Sequence, residues 1–148
     1  MVTGANGFVG GSVVWHTGGA WEVHAVARKE VGFRRERLAW HLLDLRDADG
    51  LHRVFQTIKP DVVIHAAAIA DIDYCEEYKD IAEAVNVGVT REIARICHES
   101  GTRMVFLSTD TVFDGIKGNY REEDPPSAVN FYAETKIEAE KIVAAELD

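Results

Sequence analysis

The stretch TGANGFVG, residues 3–10, carries three glycines spaced three apart and leads into an apolar, helix-like segment. Gly4 permits a tight turn after a strand, Gly7 leaves space between a helix and a phosphate, and Gly10 lets the helix pack closely on a sheet. The N–H groups in the first turn of such a helix face an anion. The pattern predicts a nucleotide phosphate site, with an ordinary glycine-rich turn of an α/β protein as the alternative.

The composition is that of one folded domain. The chain has 148 residues, of which 47% are hydrophobic and 28% charged, a balance typical of globular proteins. Its net charge of -9 opposes binding to nucleic acid or to an anionic membrane, so neither partner is expected. No apolar run reaches the roughly 18 residues that are needed to span a bilayer.

The cysteines and histidines indicate neither disulfides nor a metal site. Cys75 and Cys97 are isolated thiols without CxxC spacing, and the six histidines lack a pattern such as HExxH. We therefore expect no bound metal and a reducing, cytoplasmic location.

Strand-like and helix-like segments alternate along the whole chain. Only residues 1–3 precede Gly4, so the first strand looks clipped, since strands usually have about five residues. The other predicted strands lie at 21–27, 40–43, 61–68 and 103–107, and the predicted helices at 8–15, 51–58, 82–96 and 131–147, with stops at Gly18-Gly19, Pro60 and Gly101. The alternation predicts an α/β fold of Rossmann type, a doubly wound parallel sheet with helices on both faces.

The residues after the second predicted strand bear on the choice of cofactor. In dinucleotide-binding folds an acidic residue at this place binds the ribose 2′-OH, whereas an arginine accommodates a 2′-phosphate. Arg28 stands near this place, and Glu30 comes two residues later. Because the arginine precedes the acidic residue, the sequence favours NADP over NAD. The alternative is that Arg28 and Lys29 form an ordinary exposed basic pair.

Tyr132 and Lys136 lie four residues apart in the last predicted helix and therefore share one face. An ammonium beside a phenol favours the phenolate, which predicts a lowered pKa for Tyr132. Such a phenol can donate a proton to a carbonyl that is being reduced. The alternative is a surface pair, because the YxxxK spacing is common on helices.

Six motifs follow one another in a familiar order: TGANGFVG at 3–10, DL at 44–45, HAAA at 65–68, VNV at 85–87, STDTVFDG at 108–115 and YAETK at 132–136. Over essentially its whole length the chain resembles the extended, nucleotide-sugar-modifying branch of the short-chain dehydrogenase/reductase superfamily. STDTVFDG followed by YREED at 120–124, Asn130 and YAETK is similar in particular to the dTDP-4-dehydrorhamnose reductases.

This resemblance implies the catalytic roles. Thr109 would hydrogen-bond the substrate carbonyl and Tyr132 would donate the proton. Lys136 would hold the nicotinamide ribose and lower the pKa of Tyr132. The expected reaction is NADP-preferring, or else NAD-dependent, reduction of a 4-keto nucleotide sugar in dTDP-rhamnose biosynthesis.

The resemblance also implies a cofactor-binding set. Asp44 and Leu45 would receive the adenine, and Asn86 would brace the site from its helix. The alternatives are a helix-entry carboxylate for Asp44 and a buried amide bonded to backbone for Asn86. The full expected set is Gly4, Asn6, Gly7, Phe8, Val9, Gly10, Arg28, Asp44, Leu45, Ala66, Ala67, Ala68, Asn86, Ser108, Tyr132 and Lys136.

Relatives of this branch continue into a smaller C-terminal substrate domain, which residues 1–148 do not supply. We therefore expect this chain to be the NAD(P)-binding half of a longer protein, which binds a dinucleotide weakly and turns over no sugar by itself. Thr111, Ala128 and Ala133 replace the tyrosine, proline and glycine usual in the reductases, so the sugar stays open.

Other interpretations follow from the same motifs. An epimerase or dehydratase of the same branch would keep its cofactor oxidised and bound. A non-enzymatic interpretation is a regulatory subunit similar to the beta subunit of methionine adenosyltransferase. Besides a nucleotide-sugar substrate, the partner considered is a second copy of the chain in a homodimer.

Overall fold

The computed structural model of the chain describes residues 1–17, 19–29 and 32–147. Five parallel strands form one sheet in the order β3-β2-β1-β4-β5. The strands are β1 Val2–Thr3, β2 Val23–Ala27, β3 Leu38–Leu42, β4 Val62–His65 and β5 Arg103–Phe106. The chain starts at the centre of the sheet, builds one half and then crosses to the other, so the predicted doubly wound Rossmann-type fold is confirmed.

Six α-helices and two short turns of helix connect the strands within the described residues. The helices are α1 Phe8–His16, α2 Ala48–Ile58, α3 Ile72–Glu77, α4 Lys79–Glu83, α5 Val89–Ser100 and α6 Phe131–Leu147; a π-helical turn, Ala84–Gly88, joins α4 to α5, and a 3₁₀ turn spans Asp110–Val112. The predicted strands and helices are all present, with shifted ends. The helix α3 and the π-helical turn were not predicted.

Two apolar cores hold the layers together. One joins β1 and β2 to α1 through Val2, Val23, Ala25, Ala5 and Val14. The other joins β4 to α2 and α5 through Val63, Leu51, Phe55, Val89, Ile93, Ile96 and Cys97. The helices thus cover the sheet on both faces, which leaves the ends of the strands as the places where polar groups collect.

The central strand β1 is short, yet it is firmly paired. Thr3 aligns with Val26 of β2 on one side and with His65 of β4 on the other. The terminal ammonium of Met1 donates to the Val62 carbonyl at 2.7 Å. These bonds place the turn that follows β1 in the middle of the carboxyl edge of the sheet.

Residues with special backbone roles explain where two helices stop. Lys59, just before Pro60, adopts a left-handed conformation at the end of α2. Gly101 does the same after α5 with φ +68, which is the glycine stop that the sequence predicts. The predicted stop of α1 involves Gly18, which lies outside the described residues; α1 itself ends at His16.

Candidate functional site

The glycine turn, residues 4–10, lies at the carboxyl end of β1 and is built by close backbone contacts. Gly4 has a φ of +64, and a Cβ there would lie 2.7 Å from the Ala67 nitrogen. A Cβ on Gly10 would lie 2.4 Å from the Gly4 carbonyl oxygen. A side chain at either position would displace backbone, so both glycines are required by the packing of the turn.

The first turn of α1 presents its N–H groups at the end of this glycine turn. Gly7 is the N-cap residue, and no side chain caps the helix. The Gly7 nitrogen donates to the Gly4 carbonyl at 2.9 Å, which closes the turn. Phe8, 94% exposed, points away from the protein. The open N–H groups and the positive end of the helix dipole suit an anion.

The predicted alanines lie next to the glycine turn, at the exit of β4. Ala66 and Ala67 form the wall that the missing side chain of Gly4 would strike. The Ala67 nitrogen donates to the Thr3 hydroxyl at 3.4 Å. The turn after β1 and the loop after β4 therefore form one surface made largely of backbone and methyl groups.

A buried histidine supports this surface from below. His65 is 1% exposed; its Nδ1 lies 2.7 Å from the Thr3 hydroxyl, and its Nε2 lies 3.1 Å from the Thr90 hydroxyl. Burial, followed by the nearby charge of Lys136, lowers the pKa of His65 to about 3, so the ring is neutral. Thr90 donates to the Asn86 carbonyl at 2.6 Å, which makes His65 Nε2 the donor to Thr90.

Asn86 occupies the π-helical turn and is fully bonded. Its Oδ1 accepts from the Ile69 nitrogen at 2.8 Å, and its Nδ2 donates to the Ile69 carbonyl at 2.9 Å and to the Thr135 hydroxyl at 3.0 Å. Thr135 in turn donates to the Tyr132 carbonyl at 2.7 Å. Asn86 is thus a buried amide bonded to backbone, as the alternative interpretation held, and it also ties the loop after β4 to α6.

Thr109 and Tyr132 meet at the carboxyl end of β5. Thr109 opens the 3₁₀ turn, and its Oγ1 lies 3.0 Å from the Thr111 hydroxyl. Tyr132 is in the first turn of α6. Burial raises the pKa of Tyr132, and a hydrogen bond involving Thr109 opposes the rise. The two side chains are therefore close enough to interact, whereas the predicted lowering of the Tyr132 pKa is wrong.

Lys136 is buried, 3% exposed, and bonded to the strand below it. Its Nζ donates to the Leu107 carbonyl at 2.6 Å and lies 3.9 Å from the centre of the Phe106 ring. Burial lowers the pKa of Lys136 to about 8, and the charge of Glu140 acts in the opposite direction. The surface-pair alternative for Tyr132 and Lys136 is wrong, because Lys136 is enclosed.

The region where an adenosine is expected is more exposed and more charged. Asp44 accepts from Arg46 at both carboxylate oxygens, 3.0 Å from Nε and 2.6 Å from Nη2. These hydrogen bonds lower the pKa of Asp44 to about 2, with a smaller contribution from the charge of Arg28. Asp47 caps α2, so the helix-entry alternative for Asp44 is wrong. Leu45 packs partly buried against the second core.

Several groups at these strand ends were missed by the sequence-based prediction. Arg46 was missed although it follows the DL motif by one residue. His65 and Glu140 were missed because each needs a partner distant in sequence, Thr3 for His65 and Ser108 for Glu140. Glu30 lies outside the described residues, so of Arg28 and Glu30 the structure places only Arg28.

Neither a metal site nor a membrane span was found in the described part of the chain. Across 1–17, 19–29 and 32–147, no three His, Cys, Asp or Glu side chains are grouped so that they could hold a metal ion. Within the same ranges, no helix is long and apolar enough to cross a bilayer.

Comparison with known proteins gives relatives of two kinds. Methionine adenosyltransferase 2 subunit beta of Mus musculus is 34% identical over 150 residues, which covers 97% of this chain and 42% of the relative. The probable low-salt glycan biosynthesis reductase Agl14 of Haloferax volcanii is 32% identical, covering 97% of this chain and 48% of the relative. The chain therefore spans less than half the length of these curated relatives.

Solved structures share the fold closely. A hypothetical dTDP-4-dehydrorhamnose reductase from Sulfolobus tokodaii superposes with a TM-score of 0.84 at 35% identity, covering 95% of this chain and 50% of the other. The Bacillus anthracis dTDP-4-dehydrorhamnose reductase in complex with NADP superposes with a TM-score of 0.78 at 27% identity, covering 97% of this chain and 48% of the other. MoeE5 in complex with UDP-glucose and NAD superposes with a TM-score of 0.84 at 27% identity, covering 98% of this chain and 48% of the other.

The family model for the RmlD substrate binding domain matches residues 1–148. The parallel sheet and the glycine turn agree with a match along the whole chain. This chain belongs to the RmlD substrate binding domain family, with dTDP-4-dehydrorhamnose reductases and related short-chain dehydrogenase/reductase enzymes as its structural neighbours.

Proposed function

We propose that this chain is the dinucleotide-binding part of an NAD(P)-dependent reductase that acts on a 4-keto nucleotide sugar. One arrangement carries the proposal: the Thr109 and Tyr132 hydroxyls adjoin each other, and the buried ammonium of Lys136 lies one turn further along α6. A hydroxyl to orient a carbonyl, an acid to protonate its oxygen and a fixed cation are the groups that carbonyl reduction needs.

The residues present suit a dinucleotide. The glycine turn offers open N–H groups for a pyrophosphate, and the alanine wall after β4 leaves room above the strand end. Contacts lead from this wall to the proposed catalytic groups: His65 stacks on Phe106, with ring centres 6.0 Å apart, and Phe106 lies beneath Lys136. These contacts connect the two regions through the protein, and we infer that one extended ligand reaches both.

Tyr132 is suited to donating a proton rather than accepting one. Because burial raises its pKa, the phenol is protonated at neutral pH. We infer that Thr109 holds the substrate carbonyl oxygen and that Tyr132 gives its proton to that oxygen as it becomes an alkoxide. A bound reduced nicotinamide supplies the hydride.

Lys136 has the donors to hold a ribose as well. An ammonium has three N–H groups, and one of them is directed to the Leu107 carbonyl. The other two suit the two hydroxyls of a ribose. We further infer that Lys136, one turn along α6, stabilises the negative charge that forms on Tyr132 when it gives up its proton.

The charges near the expected adenosine favour NADP. Arg28 follows β2 and lies close enough to Asp44 to influence its pKa. Arg46 is bonded to the same carboxylate and partly neutralises it. Two cations beside one paired carboxylate favour a 2′-phosphate over a free 2′-hydroxyl.

The sugar-binding part of the proposed enzyme is expected outside these residues. The chain covers 48% of the Bacillus anthracis reductase, so the remainder of such a protein has room for a second domain. We propose that residues 1–148 bind the dinucleotide and that turnover needs the longer protein.

A regulatory role is the second candidate. It is favoured by the 34% identity to the Mus musculus methionine adenosyltransferase 2 subunit beta. An epimerase would differ from the reductase, because it would return its cofactor unchanged. Stoichiometric consumption of NADPH with a dTDP-4-keto sugar separates reductase from epimerase, and co-purification of an adenosyltransferase without such consumption would favour the regulatory role.

Tyr132→Phe in the full-length protein tests the assigned acid. We expect NADPH affinity to stay within about twofold while turnover falls by about a hundredfold or more, since the variant lacks only the acidic proton. Tyr78→Phe, an exposed tyrosine ahead of α4, is the matched control. Turnover that survives in Tyr132→Phe would exclude this tyrosine as the acid, and absence of NADPH binding would exclude the proposed function.

A further inference from the structure

Side chains of helix α6 contact three consecutive residues at the carboxyl end of β5, Phe106, Leu107 and Ser108. Lys136 lies over the Phe106 ring and donates to the Leu107 carbonyl. One turn later, Glu140 accepts a hydrogen bond from the Ser108 hydroxyl. This set of contacts, which we call the β5 clamp, holds the stretch that leads directly to Thr109.

The β5 clamp lies on the same helix face as the proposed acid. Tyr132, Lys136 and Glu140 follow one another at intervals of four residues, so their side chains point from one stripe of α6 toward the same strand end. Any movement of Ser108 relative to Glu140 would be passed to Thr109, because the two residues are adjacent in the chain. The clamp therefore adjoins Thr109, one of the two hydroxyls to which a role in catalysis is proposed.

Charge gives Glu140 a second effect. Among the described residues, the ionisable groups that interact electrostatically with the Lys136 ammonium are Glu140 on α6 and His65 on β4. His65 is neutral because its pKa is lowered to about 3, so it does not balance the ammonium. The charge of Glu140, one turn along the same helix, therefore opposes part of the effect that burial has on the Lys136 ammonium.

We propose that Glu140 is a positioning residue of the site: its carboxylate anchors Ser108 on α6, which fixes Thr109 opposite Tyr132, and it is the counter-charge of the Lys136 ammonium. This inference rests on the proposed function for the roles of Thr109, Tyr132 and Lys136. The contacts themselves are independent of it.

Two substitutions separate the two effects. Glu140→Gln keeps an oxygen that accepts from Ser108 but removes the charge, whereas Ser108→Ala removes the bond but keeps the charge. Glu138→Gln is the matched control, because Glu138 is an exposed carboxylate on the same helix, 3.6 Å from Lys141. Melting curves confirm that each variant is folded before it is compared.

The titration of the Lys136 ammonium, followed by NMR in the protein without added dinucleotide, is the primary measurement; Lys136→Arg identifies its signal. We expect Glu140→Gln to move the midpoint down by about half a pH unit or more, because an opposite charge nearby favours the protonated amine. Glu138→Gln should leave it unchanged. Ser108→Ala should leave the midpoint nearly unchanged and shift the amide signals of Thr109 and Thr111.

An unchanged Lys136 midpoint in Glu140→Gln, or unchanged Thr109 signals in Ser108→Ala, would overturn the proposal. A parallel titration of the wild-type chain with NADPH keeps the two ideas apart. If NADPH fails to bind while both NMR changes occur, the proposed function is wrong and the clamp is real. If NADPH binds and the NMR changes are absent, the proposed function stands and Glu140 is an ordinary helix residue.

Discussion

The glycine turn and the β5 clamp serve opposite ends of one proposed ligand site, and they are built from different materials. The glycine turn consists of backbone atoms in contact, and it works because side chains are missing at Gly4 and Gly10. The β5 clamp consists of long side chains and contains a buried charge. The first is limited by sterics and the second by electrostatics, so substitutions and pH should act on them in different ways.

The largest expected effect belongs to the glycine turn. Gly10→Ala would place a Cβ 2.4 Å from the Gly4 carbonyl oxygen, and backbone on both sides prevents easy relief. We expect the free energy of unfolding to fall by about 3 kcal/mol and NADPH binding to be lost. Chemical denaturation and fluorescence titration measure the two quantities.

Gly11→Ala is the control for this substitution. Its Cβ would lie 3.4 Å from the Ala5 carbonyl oxygen, an ordinary contact, and alanine favours the helix by about 1 kcal/mol over glycine. Equal destabilisation by Gly10→Ala and Gly11→Ala would show that helix geometry, and not the contact with Gly4, limits the turn.

The second effect is electrostatic and depends on pH. The pKa of Lys136 is lowered to about 8 from its ordinary 10.5, so the unfolded chain holds this proton more tightly than the folded one. The resulting destabilisation is fully present below about pH 8 and disappears as the pH rises toward the unfolded value. Between pH 7 and pH 10, the free energy of unfolding of wild type should therefore rise by about 1–3 kcal/mol relative to that of Lys136→Met.

Denaturation curves for the two proteins across that range provide the measurement. Lys141→Met, at an exposed lysine in α6, is the control and should track wild type at every pH. A constant difference between wild type and Lys136→Met would mean that the ammonium is solvated in the folded protein and that the contrast with the glycine turn is false.

The smallest effect is expected where we propose that the adenosine binds, because the charges of Asp44 and Arg46 are exposed there. Asp44→Asn removes one negative charge and releases Arg46, so the ratio of NADPH to NADH affinity should rise by about fivefold, equivalent to roughly 1 kcal/mol between charges in water. Asp49→Asn, in the first turn of α2, is the control. If the ratio of NADPH to NADH affinity is unchanged in Asp44→Asn, or does not depend on the salt concentration, Arg46 does not contribute to the choice of cofactor.

The same contrast explains what the sequence could and could not predict. Gly4 and Gly101 could be predicted because their left-handed conformations suit few other residues. Gly10 could be predicted from its place in the glycine motif, although it is helical and is restricted by the contact that a Cβ would make with Gly4. The sharing of one helix face by Tyr132 and Lys136 follows from helix periodicity. The partner of Lys136 could not be predicted, since the Leu107 carbonyl is 29 residues away and belongs to backbone that any residue supplies.

Local pairs outside regular periodicity were also missed. Asp44 and Arg46 lie two residues apart across a turn, and this spacing does not by itself predict that two side chains are in contact. The helix α3 was missed although Asp71 caps it by accepting from the Tyr74 nitrogen, because its six residues are too few to show a period. The pKa of Tyr132 was wrong in direction because burial cannot be read from the YxxxK spacing.

The π-helical turn between α4 and α5 changes the direction in which the side chains of the following helix point. Such a turn holds one residue more than an α-helical turn, so the side chains after it are rotated by about 100° relative to an uninterrupted helix. Asn86 faces Ile69 within the turn, while Thr90, just beyond it, faces His65. Deleting a single residue here is expected to straighten the helix and to turn the later side chains, Thr90 among them, away from their partners, whereas a substitution leaves the rotation of the helix unchanged.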